Sequence, residues 1–447
     1  MRFSILKKHW HTLTVPFMLF TIWLWSFPMF GPLIIVTGDY SNAIFLLFLL
    51  SHALGLLFYG FLIDYFYKQD KVNFNLELKI ILIFSFLISF LTLIFPYLSS
   101  DFFKPAIVII GLLSGPLVVF YLYYLSVTNV DGSRARVLGL IFFLAGIVFM
   151  VFLLLPFGNW MFLLNGLFLL APLLLIDKDL KRKKIITGLI LNKTKNIYWI
   201  SLVLLIIMFY IGGGLMYNLL YTNIMFANKS SLDLGFLFYP VVVLPAGFLA
   251  DKKGRKYLIN IGLSFSALGF LLLFLFDILN SLPLILLQSG FAVMDLFVLL
   301  TLIDWTDYFA SRKFIGMGLF LNVIIIFISS LPFLESTVLN FIPIKYWPIA
   351  GLTTVILIIP LLNVIKETGK NNRSIDLEKW CTAYSISPRE KEIIALLLAG
   401  KDTKTITDSL FISYNTLKTH LRNIYRKTAT SSQTELILFI WKSTKSS

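Results

Sequence analysis

Gly247-Phe248-Leu249-Ala250-Asp251-Lys252-Lys253-Gly254-Arg255-Lys256 is the stretch on which the fold turns. It lies between apolar runs near 232–250 and 257–276, and four of its last five residues are cations. Apolar runs of about 20 residues cross the hydrocarbon core of a bilayer, so the stretch reads as a short loop joining two membrane helices on a cation-rich side. Gly247 permits close approach of another helix, and Asp251 at a helix end can pair with basic groups. A related segment, Gly60-Phe61-Leu62-Ile63-Asp64, follows the run near 43–66, but Tyr65-Phe66-Tyr67 stand where the later copy has cations and glycine.

Working outward, twelve such runs are expected, near 13–37, 43–66, 78–98, 105–126, 136–156, 158–176, 197–220, 232–250, 257–276, 283–303, 314–334 and 346–365. Two of them are separated only by Phe157-Gly158-Asn159. The composition agrees: 58% of the 447 residues are hydrophobic and 14% charged, with a mean hydropathy of +0.87, against about 25% charged in soluble chains. Arg2, Lys7 and Lys8 precede a long first run without a small-residue cleavage site, so no removable leader is expected. Twenty-one basic residues fall in one set of loops, whereas the opposite set holds only Lys104, Lys229 and Lys345. The positive-inside rule then places both termini in the cytoplasm, and an even number of spans requires them to share a side. The setting expected is the inner membrane of a bacterial cell, with lipid as a partner. The longest basic loop, about 177–196, divides the runs into halves of about 1–176 and 197–365.

The Gly247–Lys256 loop resembles the signature of the major facilitator superfamily, G-x-L-A-D-[RK]-x-G-R-[RK], and its partial echo at Gly60–Asp64 occupies the equivalent place in the first half. The resemblance implies two six-helix bundles around a central cavity. In that superfamily the first copy is usually the better preserved, so the Tyr65-Phe66-Tyr67 departure reads against efficient transport. No relay of several acids runs through the spans, so a proton-driven pump is not expected. The candidate cavity residues are Asp295, His52, Gly213 and Asn218. An acid within a span is costly unless it faces a cavity or is protonated, and Gly212-Gly213-Gly214 can unwind a helix and present backbone groups to a ligand. Tyr217, Gln288, Asn322, Trp23 and Trp25 are further lining candidates; for each residue, simple helix packing is the alternative.

At Lys366 the composition turns polar, and 366–447 carries 14 basic and 8 acidic residues. Residues 366–385 read as a linker and short helix, and 386–447 as a separate four-helix domain. Ser387-Pro388-Arg389-Glu390 is a capping box with proline at the first helical position, and Gly400 marks that helix's end. Thr403 caps a short second helix. Ser413 caps a third, about 414–427, with Leu417, Leu421 and Ile424 inward at helical spacing. Its other face carries Asn415, Lys418, Thr419, Arg422 and Arg426. A basic, hydrogen-bonding stripe on a short capped helix suits the major groove of double-stranded DNA. A fourth helix, about 432–442, holds Leu436, Ile437, Phe439 and Ile440. The single cysteine, Cys381, reads as a buried or neutral thiol.

The segment from Ile386 to Gly400, with Leu410 to Lys427, closely resembles the LuxR/FixJ-type helix-turn-helix, whose core pattern is matched at Thr416, Leu417, Lys418, His420, Ile424 and Lys427. The resemblance implies that Lys418, Thr419 and Arg422 face base edges or nearby phosphates. It implies that Tyr414, Asn415, Thr416, Arg426, Lys427 and Lys404 contact mainly the DNA backbone, and that the fourth helix forms a dimer contact. Thr405, Thr407, Thr428-Ala429-Thr430 and Gln433 depart from the family's usual residues.

The whole is expected to be all-α: a twelve-span bundle joined to a DNA-binding helix-turn-helix, acting as a membrane-embedded transcriptional regulator that senses an unknown small molecule. The competing expectation is an active secondary transporter with a regulatory tail; a tail that binds only protein is a third. With no phosphate-cradling glycine loop, nucleophile–base pairing or metal-ligand cluster in the sequence, neither an enzyme nor a cofactor is expected.

Overall fold

The computed structural model describes residues 14–29, 36–37, 41–69, 71–128, 134–156, 158–174, 200, 202–214, 235–276, 281–309, 311–334, 346–362, 377–398, 403–410, 412–433, 435–436 and 439–440. The chain divides into two compact units, Met1–Gly369 and Lys370–Ser447.

The helices of the larger unit are α1 Val15–Leu24, continued by π-helical Trp25–Met29, then α2 Ser41–Lys68, α3 Phe74–Ile94, α4 Ser100–Thr128, α5 Arg134–Leu154 and α6 Asn159–Leu174. They continue with α7 Leu202–Gly214, α8 Gly235–Lys253, α9 Lys256–Leu275, α10 Ser281–Phe309, α11 Lys313–Leu334 and α12 Trp347–Leu362. Among the described residues, six helices are long and apolar enough to cross a membrane, and Val15–Met29, Asn159–Leu170, Leu202–Gly214, Lys313–Ile328 and Trp347–Ile359 are shorter apolar helices. Phe86, Phe90, Phe248 and Phe274 are all exposed on helices whose opposite faces form the core. So much apolar surface facing water would promote association; facing lipid it is stable. This is a multi-pass membrane domain. The chain breaks at the expected place between α5 and α6, where a helix ends at Leu154 and the next begins at Asn159.

Packing repeats with an offset of six helices. Within the halves, α2 lies on α4 as α8 lies on α10, and α3 on α6 as α9 on α12. Across the halves, α2 packs on α11 as α8 packs on α5, and α4 meets its counterpart α10. Small polar groups bind the helices together, as expected where lipid supplies no hydrophobic drive between them: Ser85 Oγ donates to Leu169 O at 2.7 Å and Ser89 Oγ to Gly166 O at 2.8 Å.

The smaller unit contains α13 Leu377–Ala383, α14 Pro388–Leu398, α15 Thr403–Leu410 and α16 Tyr414–Thr428. Trp380, Cys381, Ile393, Ile394, Leu397, Ile406, Leu417, Ile424, Leu436 and Ile440 form its own core. Cys381 is buried there.

Candidate nucleic-acid interface and membrane cavity

Local sequence chemistry positions α16. The Ser413 hydroxyl accepts from Thr416 N at 3.1 Å, capping the helix start. Leu417, Ile424 and Thr428 are buried at helical spacing, which turns Asn415, Lys418, Thr419, Arg422 and Arg426 outward. All five are exposed, as are Tyr414 and Thr416. The Thr419 hydroxyl returns to Asn415 O at 3.0 Å, and Thr416 Oγ1 lies 2.8 Å from Ser413 Oγ, so it shares in the cap. The helix ends at Ala429, which is left-handed with φ 51° and ψ 40°.

The helix beneath is equally specified. Ser387 N donates to Glu390 Oε2 at 2.8 Å, and Glu390 N donates back to Ser387 Oγ at 3.3 Å, completing the capping box at the start of α14. Lys427 also has partners inside the domain. Its ammonium donates to Glu390 Oε2 at 2.6 Å and to Ser385 O at 2.9 Å, so it ties the end of α16 to the start of α14. Burial opposes ionisation of Glu390, but the hydrogen bonds from Lys427 and Ser387 outweigh it and hold the carboxyl below the ordinary range. Lys404 lies in α15, but its side chain is outside the described residues, as is Gly400.

In the membrane unit both signature segments are built into the cross-half contacts. Asp251 accepts from Ala135 N at 3.3 Å, Arg136 N at 3.1 Å and Arg136 Nε at 2.8 Å, which caps the start of α5 in the opposite half. Asp64 does the same for α11: it accepts from Ser311 Oγ at 2.6 Å and Lys313 N at 3.4 Å, and it pairs with Arg312 at 3.4 Å. The glycines seat these contacts. A Cβ on Gly247 would fall 2.4 Å from Ala135 O, and one on Gly60 would fall 3.0 Å from Gly316 Cα. Asp304 in α10 pairs with Arg134 at 3.2 Å and with Arg255 of the signature loop.

The altered first copy is not an empty one. Arg312 is 2% exposed and donates to Glu77 Oε2 at 2.9 Å, with its guanidinium 4.4 Å from the Tyr67 ring centre and 3.7 Å from that of Tyr123. Tyr59 and Tyr67 hydroxyls also donate to Glu77, at 2.9 and 2.6 Å. Tyr67, a departure from the signature, thus serves the cation that links α11 to α3. The loss of basic residues after Asp64 therefore does not dismantle the cross-half contact.

The cavity candidates separate. Asp295 Oδ1 accepts from Tyr210 at 2.7 Å and Oδ2 from Tyr239 at 2.9 Å. His52 is instead a packing residue: it is 3% exposed, Nδ1 lies 2.7 Å from Ser114 Oγ, and its ring stacks on Phe48. Gly213 also falls on the packing alternative. Gly212–Gly214 stay helical, and a Cβ on Gly213 would meet the Phe291 ring at 3.0 Å, so the glycines serve close packing rather than unwinding. Asn218 and Tyr217 lie outside the described residues. Gln288 is buried, and Trp23 is wholly buried with its indole N–H on Thr92 Oγ1 at 3.1 Å.

Residues 384–440 match the family described as bacterial regulatory proteins, luxR family. The C-terminal unit is a LuxR-type helix-turn-helix domain. The chain is 36% identical over 73 residues to the uncharacterized transcriptional regulatory protein YhcZ of Bacillus subtilis, covering 16% of this chain and 33% of that protein. It is 41% identical over 56 residues to the monoamine regulon transcriptional regulator of Klebsiella aerogenes (12% and 25%), and 44% over 52 residues to the CsgBAC operon transcriptional regulatory protein of Escherichia coli (12% and 24%). The chain thus covers a third or less of each of these relatives. The membrane unit has the major-facilitator fold: a solved structure of the proton:xylose symporter XylE superposes with a TM-score of 0.57 at 15% identity, covering 79% of this chain and 94% of that one.

The chain therefore joins a LuxR-type DNA-binding domain to a major-facilitator-like membrane domain. The LuxR-type stripe was visible from helical spacing alone, because both caps are local. Glu77, Tyr210, Tyr239 and Asp304 were missed, since each acts through partners on other helices. The one available signal was a lone acid beside or inside an apolar run.

Proposed function

We propose that this protein is a membrane-embedded one-component transcriptional regulator, in which the bundle senses a small molecule and the LuxR-type domain binds promoter DNA as a dimer. The twelve-span topology, with both termini in the cytoplasm of a bacterial cell and the bundle in its inner membrane, rests on the cation asymmetry of the loops. The observation that carries the reading is the exposed stripe Asn415, Lys418, Thr419, Arg422 and Arg426 on a doubly capped helix, in a chain whose larger part is a transporter fold. A ligand with different affinity for two states of the bundle would shift their populations, and the segment before α13 would pass the shift to DNA binding.

The test is an electrophoretic shift with a fragment beginning at Lys370, which has its own core, against the promoter of the adjacent operon, followed by a reporter assay with the full chain in membranes. Failure of the fragment to bind DNA at any salt concentration would sink the proposal. A second reading, a secondary transporter with a regulatory tail, is favoured by one observation: Asp64 and Asp251 both keep their cross-half contacts. Saturable substrate movement in proteoliposomes would support it.

A further inference from the structure

Among the described residues, the buried and partly buried acids of the membrane unit divide by their partners. Glu77 and Asp64 are paired with Arg312, Asp304 with Arg134 and Arg255, and Asp251 with Arg136. Asp295 has two tyrosine hydroxyls and, among the described residues, no cation. A carboxylate at membrane depth without a positive partner is costly. Two neutral donors orient it and leave its charge unmatched.

Its exposure is as informative as its partners. From Leu287 to Thr306 every residue of α10 is buried except Asp295, which is partly exposed. A helix enclosed on all sides has no lipid-facing position there, so the opening at Asp295 is internal. The wall of that opening comes from both halves. Tyr239 of α8, whose hydroxyl holds Asp295, meets the Trp25 indole of α1 edge-on at 5.7 Å. Trp25 in turn stacks on Phe142 at 5.8 Å and meets Phe149 at 6.4 Å, both on α5. Trp25 also opens the π-helical turn Trp25–Met29, which contains Pro28, and such turns are frequent where helices are shaped for function. Trp25 and Tyr239 are themselves partly exposed.

We propose that this chamber binds an organic cation, an ammonium or comparable positive group on an aromatic or alkyl body. Asp295 supplies the counter-charge, and the two tyrosines fix both carboxylate oxygens. The rings of Trp25 and its aromatic neighbours offer faces that attract a cation as well as apolar area for its body. The site lies where the halves meet, so a bound cation touches α1, α8 and α10 together. The inference names the ligand class for the sensing role proposed above and rests on that role only for its consequence, since binding is measured without DNA.

The experiment uses the full chain purified in detergent, with benzyltrimethylammonium as the probe and its uncharged isostere 2,2-dimethylpropylbenzene as the control, read by calorimetry and by thermal stabilisation. The cation is expected to bind saturably and the isostere at least ~10-fold more weakly, a difference of about 1.4 kcal/mol. Asp295→Asn, nearly isosteric, is expected to weaken the cation by at least ~10-fold and leave the isostere unchanged, with Asp295→Glu recovering part of the loss. Trp25→Leu, tested beside it, is expected to weaken the cation more than the isostere, and it decides the matter if the Asn variant does not fold. Equal binding of both probes, unchanged cation binding in Asp295→Asn, or no saturable cation binding at millimolar concentration overturns the proposal. Cation binding that leaves promoter occupancy unchanged would count against the sensing role and leave the binding site standing.

Discussion

Replacing Lys427 and Arg426, neighbours in sequence on α16, should give opposite results. Lys418, Arg422 and Arg426 are exposed and make no ion pair within the described residues, whereas Lys427 is bonded to Glu390 and Ser385. A dimer therefore presents three free cations per recognition helix. If all meet phosphates, the slope of log affinity against log salt is roughly −5, at about 0.9 per neutralised phosphate. Arg426→Ala removes one contact per protomer and should make the slope shallower by ~1.8, without changing the stability of the domain. Lys427→Ala should leave the slope within ~0.5 of the parent. It should instead destabilise the domain by roughly 1.5–3 kcal/mol, the range for hydrogen bonds to charged groups, lowering the melting temperature on the order of 10 °C for a unit this small. The assays are fluorescence anisotropy on promoter DNA from 50 to 200 mM salt and thermal melts followed by circular dichroism, on the fragment from Lys370. If Lys427→Ala flattens the slope as much as Arg426→Ala and melts normally, the internal role assigned to Lys427 is wrong.

Ala429 sits in the left-handed region at the end of α16, where a Cβ costs roughly 1–2 kcal/mol; after about 0.5–1 kcal/mol for the greater backbone entropy that glycine loses on folding, Ala429→Gly should raise the stability of the fragment by about 0.5–1 kcal/mol, visible as a higher melting temperature. The Glu390 carboxyl is held below its ordinary range when folded, so its contribution is complete above the unfolded carboxylate pKa and disappears as pH falls through the lower folded value. Melts from pH 7 downward should therefore lose stability in the acid range, and Glu390→Gln should flatten that loss while lowering stability at pH 7. In the membrane unit, Gly247→Ala puts a Cβ 2.4 Å from Ala135 O, so α5 and α8 must move apart; the detergent-solubilised chain should denature at a lower temperature than the parent, while a surface control such as Phe86→Leu, at an exposed position of α3, should not.

The residues that could be read early are those whose physics is local. Ser387 and Glu390 lie three apart and cap one another, so their spacing contains the interaction. Leu417 and Ile424 share a helix face whatever else the chain does. Asp251 could be recognised as a loop residue, but its target could not, because Arg136 is more than a hundred residues away in the other half. Lys427, which the LuxR resemblance assigned to the DNA backbone, has an internal partner that no local spacing announces, because only the folded domain brings Glu390 beside it. Arg312 stands between two apolar runs, where a solvated loop cation would be expected, yet it is 2% exposed, and nothing nearby in sequence announces Glu77, Tyr67 and Tyr123. Asp295 stood out as a lone acid in an apolar run, but its two tyrosine donors come from α7 and α8, beyond the reach of periodicity.

The crosswise caps make each half the custodian of a helix it does not own. Asp64 closes α2 and begins α11; Asp251 closes α8 and begins α5. A half expressed by itself would carry a helix start whose first amide groups had lost their acceptor, together with an acid that had lost its cation. Neither half is thus a self-sufficient folding unit, and the two should be recovered only when produced together. On the side of the first copy, Arg312 is held by the ring of Tyr67 and the carboxylate of Glu77 on α3, so aromatic rings and an acid secure that half's contact where the second copy has loop cations.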